Sequence, residues 1–213
     1  MQQKFKWIAV LNQCIIIVLF MRMQTPDHPP EHYLEWDHYI AQPDGITCGP
    51  TSCAMVINWY GKEATVKSCK EQARTKWFEY QGQEVGMSLP DYLTFCLRSH
   101  GVPAKLESGN AHKLKYYVSE GRPPIVLLRS GDRYWHYVVV TGYGDGKIVT
   151  ADPGGGRREE LDEEVFLGSW DFSCDMRGDV VEGFDLFRYI VERIAGVGGH
   201  TMIVPRHQRK DLP

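Results

Sequence analysis

The strongest constraint on the fold is a change in hydrophobic pattern at Gly121. Before it, apolar residues recur at helical spacing; after it, short runs rich in valine and isoleucine are bounded by glycine and aspartate. Helices are predicted over Thr51–Tyr60, Thr65–Glu79, Ser88–His100, Ala111–Glu120 and Glu159–Trp170, and strands over Pro124–Arg129, Trp135–Tyr143 and Lys147–Ala151. Helices followed by consecutive strands predict an α+β fold with an antiparallel sheet.

The segment beyond residue 172 has weaker patterns. A helix is predicted over Phe184–Arg193 and an edge strand over Thr201–Val204. Gly198-Gly199 is typical of a flexible turn. The sequence predicts a C-terminal extension over 173–213 but no role for it.

The composition is that of a globular protein. Of 213 residues, 43% are hydrophobic and 24% charged, which excludes a disordered chain. The formal net charge of -3 argues against a dedicated nucleic-acid binder, which usually has a basic surface. Six cysteines are too few for a scaffold built from disulfides.

The N-terminal residues allow two interpretations. An apolar run, Trp7–Met21, follows Lys4 and Lys6, as in a secretory signal or membrane anchor within 1–24. Alternatively, translation starts at Met21 or Met23. The first interpretation predicts a secreted or anchored protein that meets the membrane only through this segment, and the second a cytoplasmic one. Residues 25–38, rich in proline and histidine, are predicted to be a linker.

Cys48 is the candidate nucleophile. It lies in Thr47-Cys48-Gly49-Pro50, just before the predicted helix that begins at Thr51. Unpaired N–H groups and the positive end of the dipole at a helix N-terminus favour a thiolate. Gly49 is predicted to leave room for a substrate backbone. Four other cysteines lack this context and are predicted to be inert: Cys53, Cys69, Cys96 and Cys174.

His136 and Asp152 are the candidate base and its orienting acid. They lie on two consecutive predicted strands, and a triad requires both side chains on one face of the sheet. A two-residue turn at Asp145-Gly146 would place them on opposite faces. The triad hypothesis therefore predicts a three-residue loop or a β-bulge between them.

Gln42 precedes Cys48 by six residues. Attack by a thiolate on a carbonyl creates an oxyanion, which needs hydrogen-bond donors already in place. The backbone N–H of Cys48 and the Gln42 side-chain amide are the predicted donors. Trp135, next to the candidate base, is predicted to contact substrate.

Two segments together resemble the bacteriocin-processing (double-glycine) peptidase family, whose members are papain-like cysteine peptidases. One is Gln42 with the run Cys48–Met55; the other is His136–Tyr143 followed by Asp152-Pro153. The resemblance implies a papain-like domain over 39–172, with a helical half, a sheet, and the active site in the cleft between them. It implies Cys48 as nucleophile, His136 as base, Asp152 as orienting acid and Gln42 in the oxyanion hole.

The resemblance also implies a peptide or protein substrate and neither metal nor organic cofactor. Transporter-fused members carry a nucleotide-binding domain, but no G-x-x-x-x-G-K-[ST] loop occurs here, so a stand-alone peptidase-like domain is expected. Three functions stay open: a cysteine peptidase, which we favour, an acyl or amide transferase with the same triad, and an inactive binding module. The oligomeric state is not predicted.

Overall fold

The computed structural model describes residues 27–80, 83–130, 134–170 and 200–209. Its helices are α1 (Cys48–Trp59), α2 (Val66–Gln72), α3 (Pro90–Ser99), α4 (Ala111–Ser119) and α5 (Glu163–Ser169). Its strands are β1 (His32–Tyr33), β2 (Lys76–Tyr80), β3 (Gln83–Met87), β4 (Ala104–Ser108), β5 (Ile125–Ser130), β6 (Tyr134–Gly144), β7 (Lys147–Asp152), β8 (Arg157–Asp162) and β9 (Thr201–Pro205).

Seven of the described strands form one sheet in the order β4-β9-β5-β6-β7-β8, with β1 paired to β6. Every pair in it is antiparallel. Strands β2 and β3 form a separate hairpin. The predicted α+β class with an antiparallel sheet is therefore confirmed.

Both faces of the inner strand β5 are buried. Ile125 and Leu127 of β5 belong to a core shared with α1 and α3, whereas Val126 and Leu128 belong to a second core with α4 and α5. Because alternate residues of a strand face opposite sides, a strand covered on both sides needs a continuous apolar run. This explains why β5 lacks polar alternation.

Two of the predicted helices were wrong in part. The predicted helix Thr65–Glu79 ends at Gln72, where Arg74 takes a left-handed φ of 48°, and a strand begins at Lys76. The predicted helix Glu159–Trp170 begins only at Glu163, because Arg157–Asp162 pairs with β7.

The predicted edge strand Thr201–Val204 is instead an inner strand. It lies between β4 and β5, and all five residues of β9 are buried. Its partner strands, β4 and β5, are distant in sequence, so the local residue pattern could not show that β9 is an inner strand. The predicted helix Phe184–Arg193 and the Gly198-Gly199 turn lie outside the described residues.

The segment before α1 packs against the sheet. His32 and Tyr33, within the predicted linker, pair with Tyr143 and Gly142 of β6. Residues 1–24, the predicted signal or anchor, lie outside the described residues. Among the residues that are described, no helix combines the length and apolar character needed to cross a bilayer.

Candidate active site

Cys48 is the first residue of α1. The helix begins three residues earlier than predicted, so the thiol lies at the N-terminus itself and is half-exposed. The first N–H groups of a helix have no carbonyl partner within it and attract negative charge. This position suits a thiol that must reach a substrate and carry charge.

Helix α1 is held against the strand that carries His136. The Ser52 hydroxyl donates to the Tyr137 carbonyl at 3.4 Å, and the Tyr137 hydroxyl donates to the Ser88 carbonyl at 2.9 Å. Both contacts are buried. The first contact fixes α1 relative to the residue next to His136, and the second ties that residue to the segment just before α3.

The turn between β6 and β7 is the shorter of the two that the sequence allowed. Asp145 and Gly146 form it, with positive φ values of 50° and 71°. Such a turn matches the twist of an antiparallel pair. Alone, it would leave His136 and Asp152 on opposite faces of the sheet.

A β-bulge corrects the register. The pairing shifts between Val140 and Gly142, so that Val139 lies opposite Ala151. This shift by one residue brings His136 and Asp152 to the same face. The predicted requirement for a loop of odd length or a bulge is therefore confirmed, through the bulge.

His136 and Asp152 form a close pair. The His136 Nε2 atom lies 2.5 Å from Asp152 Oδ1. The Cys48 thiol also lies near enough to the His136 side chain to raise the pKa of the imidazole. Because Nε2 faces the carboxylate, Nδ1 is the ring nitrogen that remains for the thiol.

The pKa of His136 reflects these neighbours. Burial lowers it, but hydrogen bonds to Asp152 and Cys48, with the charges of both, outweigh burial and raise the pKa of His136 to about 9. Burial raises the pKa of Asp152, but hydrogen bonds from His136 and from the Gly154 backbone N–H lower it further. The pKa of Asp152 therefore lies below its ordinary value. The arrangement stabilises an imidazolium between two acids.

Gln42 lies beside the loop that follows Asp152. Its backbone N–H donates to the Pro153 carbonyl at 2.7 Å. Its side-chain Nε2 donates to the Asp44 carbonyl at 2.6 Å, and its Oε1 is buried without a hydrogen-bond partner. An amide group has two N–H donors, so one remains for another acceptor.

Comparisons with known proteins identify the family. Residues 37–173, most of the chain, match the Peptidase_C39-like family. The chain belongs to this family. No curated protein sequence matches it.

Two solved structures support the fold of this C39-like domain. The peptidase domain of Streptococcus ComA, a bifunctional ABC transporter involved in a quorum-sensing pathway, has a TM-score of 0.52 and 23% identity, over 62% of this chain and 93% of that one. A putative C39-like peptidase from Bacillus anthracis has a TM-score of 0.60 and 14% identity, over 83% of this chain and 98% of that one. The fold is therefore that of papain-like C39 peptidases, and family and fold together support a cysteine-peptidase type of function.

Gly49 of the C39-like domain lies where α1 packs against its neighbours. It is buried, and a Cβ atom there would lie 3.0 Å from Leu93 Cδ1 and 3.2 Å from Tyr137 Cδ2. The missing side chain therefore lets α1 pack against α3 and β6. That Gly49 also leaves room for a substrate backbone stays a prediction. Trp135 is half-buried and packs against the core around α1; its contact with substrate stays a prediction.

Sequence reasoning missed two residues that hold the Gln42 segment. The Asp44 carboxylate accepts from the Ile46 N–H at 3.1 Å and forms an ion pair with Lys70 at 2.9 Å. Gly156 has a φ of 59°, and a Cβ atom there would lie 2.6 Å from the Ala41 backbone nitrogen. The Pro43-Asp44-Gly45 turn and the run Gly154–Gly156 directly after Asp152-Pro153 were the available signals.

Proposed function

We propose that the chain is a cysteine peptidase that hydrolyses peptide bonds through Cys48, His136 and Asp152. The observation that carries the proposal is a helix-terminal thiol that raises the pKa of a nearby histidine, whose Nε2 atom contacts a carboxylate at 2.5 Å. A nucleophile, a base and an orienting acid in this order are the recurring parts of acyl-transfer sites. Membership of the C39-like family supports the same reaction class.

In the first half-reaction the Cys48 sulfur attacks the peptide carbonyl carbon while His136, whose raised pKa favours its charged form, already holds the proton of the thiol. The carbonyl oxygen becomes an oxyanion. The backbone N–H of Cys48 and the second N–H of the Gln42 amide are the proposed donors to it, and one such donor commonly contributes about 10²–10³ in rate. His136 then protonates the leaving amine, the C–N bond breaks, and a thioester on Cys48 remains.

In the second half-reaction water attacks the thioester carbon. His136 removes the proton from that water and returns it to sulfur as the C–S bond breaks, which regenerates the thiol and releases the acid. Asp152 stays ionised throughout, orients the imidazole and stabilises its charged form. Its lowered pKa suits this role, because the carboxyl then remains ionised at neutral pH.

The substrate class is a peptide or protein. The half-exposed Cys48 can meet an extended chain that passes the start of α1, and the half-buried Trp135 next to His136 is the proposed contact for a side chain near the cleaved bond. The solved structures share the fold at low identity, so they do not give the sequence specificity of this chain. Cleavage of a mixed-peptide library measures that specificity.

The experiment is cleavage of a peptide library by the chain that starts near Met23, beside its Cys48→Ala variant. We expect cleavage by the parent chain and none by the variant, with unchanged circular dichroism. Cleavage that persists in Cys48→Ala, or none with the parent, would contradict the proposal. A parallel arm with an added amine acceptor reports transfer in place of hydrolysis.

A further inference from the structure

A second group of chemically active side chains lies away from the proposed active site, where α1, α2 and α3 pack together. The Cys69 sulfur, the Cys96 sulfur and a ring nitrogen of His100 all lie within 4.8 Å of one another. Both cysteines are completely buried, and His100 is partly exposed. Cys53 of α1 is also buried, and its sulfur lies 3.6 Å from the Leu93 carbonyl oxygen.

Helix geometry explains how these ligand types meet. Cys96 lies in the last turns of α3 and His100 caps the helix four residues later, so their side chains share one side of it. The His100 Nδ1 atom lies 4.0 Å from the Cys96 sulfur. Cys69 comes from α2, and the Cys96 sulfur lies 3.8 Å from the Cys69 carbonyl oxygen.

We propose that Cys69, Cys96 and His100 bind one Zn²⁺ ion, with a water molecule as the fourth ligand on the exposed side of His100. Thiolate and imidazole are the ligands that zinc prefers, at about 2.3 Å for sulfur and about 2.0 Å for nitrogen. Tetrahedral coordination at these lengths separates ligand atoms by about 3.5–3.8 Å. The three atoms, now within 4.8 Å of one another, therefore need to approach by at most about 1.3 Å.

Binding exchanges weak contacts for strong ones. Sulfur contacts at 3.8 and 4.0 Å are long, and His100 Nδ1 must release the Cys96 carbonyl that it now contacts at 2.9 Å. A free cysteine thiol is protonated at neutral pH and binds zinc as the thiolate, so coordination by two cysteines releases about two protons for each zinc ion bound.

The ion would join α2 to α3. These two helices pack against each other and against α1, whose first residue is Cys48. A zinc ion at their junction would stabilise the folded state because the unfolded chain has no preformed site. Its predicted effect is on stability and not on the chemical step.

The test is zinc titration by calorimetry of the full chain carrying Cys48→Ala, which removes the other reactive thiol at the proposed active site. Thiols are kept reduced with a phosphine. We expect one zinc per chain, release of about two protons when buffers of different ionisation enthalpy are compared, and a higher melting temperature with zinc. His100→Gln and Cys96→Ser should each weaken binding at least about tenfold.

Cys53→Ala is the matched control, because it removes a buried thiol at the same junction that lies outside the proposed ligand set. It should retain zinc affinity. If Cys96→Ser does not fold, Co²⁺ added to the parent protein supplies the second readout, through the charge-transfer bands of thiolate coordination. Absence of one tightly bound zinc, or equal affinity in the His100→Gln and parent chains, would overturn the proposal.

Discussion

Cys48 and Cys53 lie on the same helix, five residues apart, yet their surroundings are opposite. Cys48 is half-exposed at the helix N-terminus and contacts His136, which contacts Asp152. Cys53 has no exposed surface, and its sulfur lies 3.6 Å from the Leu93 carbonyl oxygen. The comparison teaches that position on a helix and neighbouring groups, rather than residue type, decide which thiol is equipped for chemistry.

Burial disfavours the charged forms of both Cys53 and His136, but only His136 has partners that compensate for it. At Cys53, burial raises the pKa of the thiol, with no cation among the causes. At His136, partial burial is outweighed by two acidic partners, so the charged form is favoured. A buried group keeps its charge only where partners compensate for lost water.

Removing His136 should leave Cys48 without a base, as Cys53 already is. We expect His136→Ala to lower kcat/KM for a peptide substrate by about 10³–10⁴, because the base and its proton transfer are lost. Asp152→Asn should lower it by about 10²–10⁴, since the imidazole loses its orienting charge. Steady-state kinetics with the best library peptide measures both losses. Full activity in His136→Ala would contradict the claim that His136 makes Cys48 differ from Cys53.

Gly156→Ala should separate thiol activation from oxyanion binding. The new Cβ atom would displace the Ala41 backbone and move Gln42, and the left-handed φ adds strain. We expect kcat to fall about tenfold, while alkylation of Cys48 keeps its rate. Gly146→Ala is the control: it has the same kind of strain, at φ 71°, with no atom within 4 Å of the new Cβ. Equal loss of kcat in both variants would contradict a role for the Gln42 segment.

Unfolding free energy should depend on pH through His136. Its pKa is raised in the folded state, to about 9 from 6.5, so the stabilisation is complete below pH 6.5 and is lost as pH rises through 9. We expect a loss of about 2 kcal/mol across this window, discounted because a quarter of the side chain is exposed. Urea unfolding of the parent and His136→Ala checks it; equal pH dependence in the two would refute it.

Cys53→Ala should have the smallest effect. Loss of a buried sulfur costs about 1 kcal/mol of unfolding free energy, and peptide hydrolysis should stay within about twofold of the parent. Urea unfolding and kinetics measure the two quantities. A loss of activity comparable to that of Cys48→Ala would show that the two thiols do not differ as described.

Local sequence signals predicted the parts of the site that depend on one element. Gly49-Pro50 marked the first turn of α1, and valine-rich runs marked β6 and β7. The alternation of faces further showed that the triad needs a register change, but nothing in the sequence located it between Val140 and Gly142. Bulge position depends on packing on both sides of the sheet.

Features that depend on distant contacts escaped prediction. Strand β9 pairs with β4 and β5, which lie far from it in sequence, and only that pairing makes it an inner strand. The run Glu159–Asp162 was predicted to start a helix because Asp and Glu favour a first turn. It belongs to a strand instead, because pairing with β7 prevails. The group of Cys69, Cys96 and His100 likewise exists only once α2 and α3 pack together.

The most direct measurement is alkylation of the native chain at pH 6.5 by a small electrophile, followed by peptide mapping. Modification of Cys48 is expected to be at least about tenfold faster than that of Cys53, Cys69 or Cys96, and to slow by a similar factor in His136→Ala. The buried thiols should react only in denaturant. If Cys48 also reacts only in denaturant, or reacts at the same rate in His136→Ala, Cys48 is not an accessible thiol activated by His136.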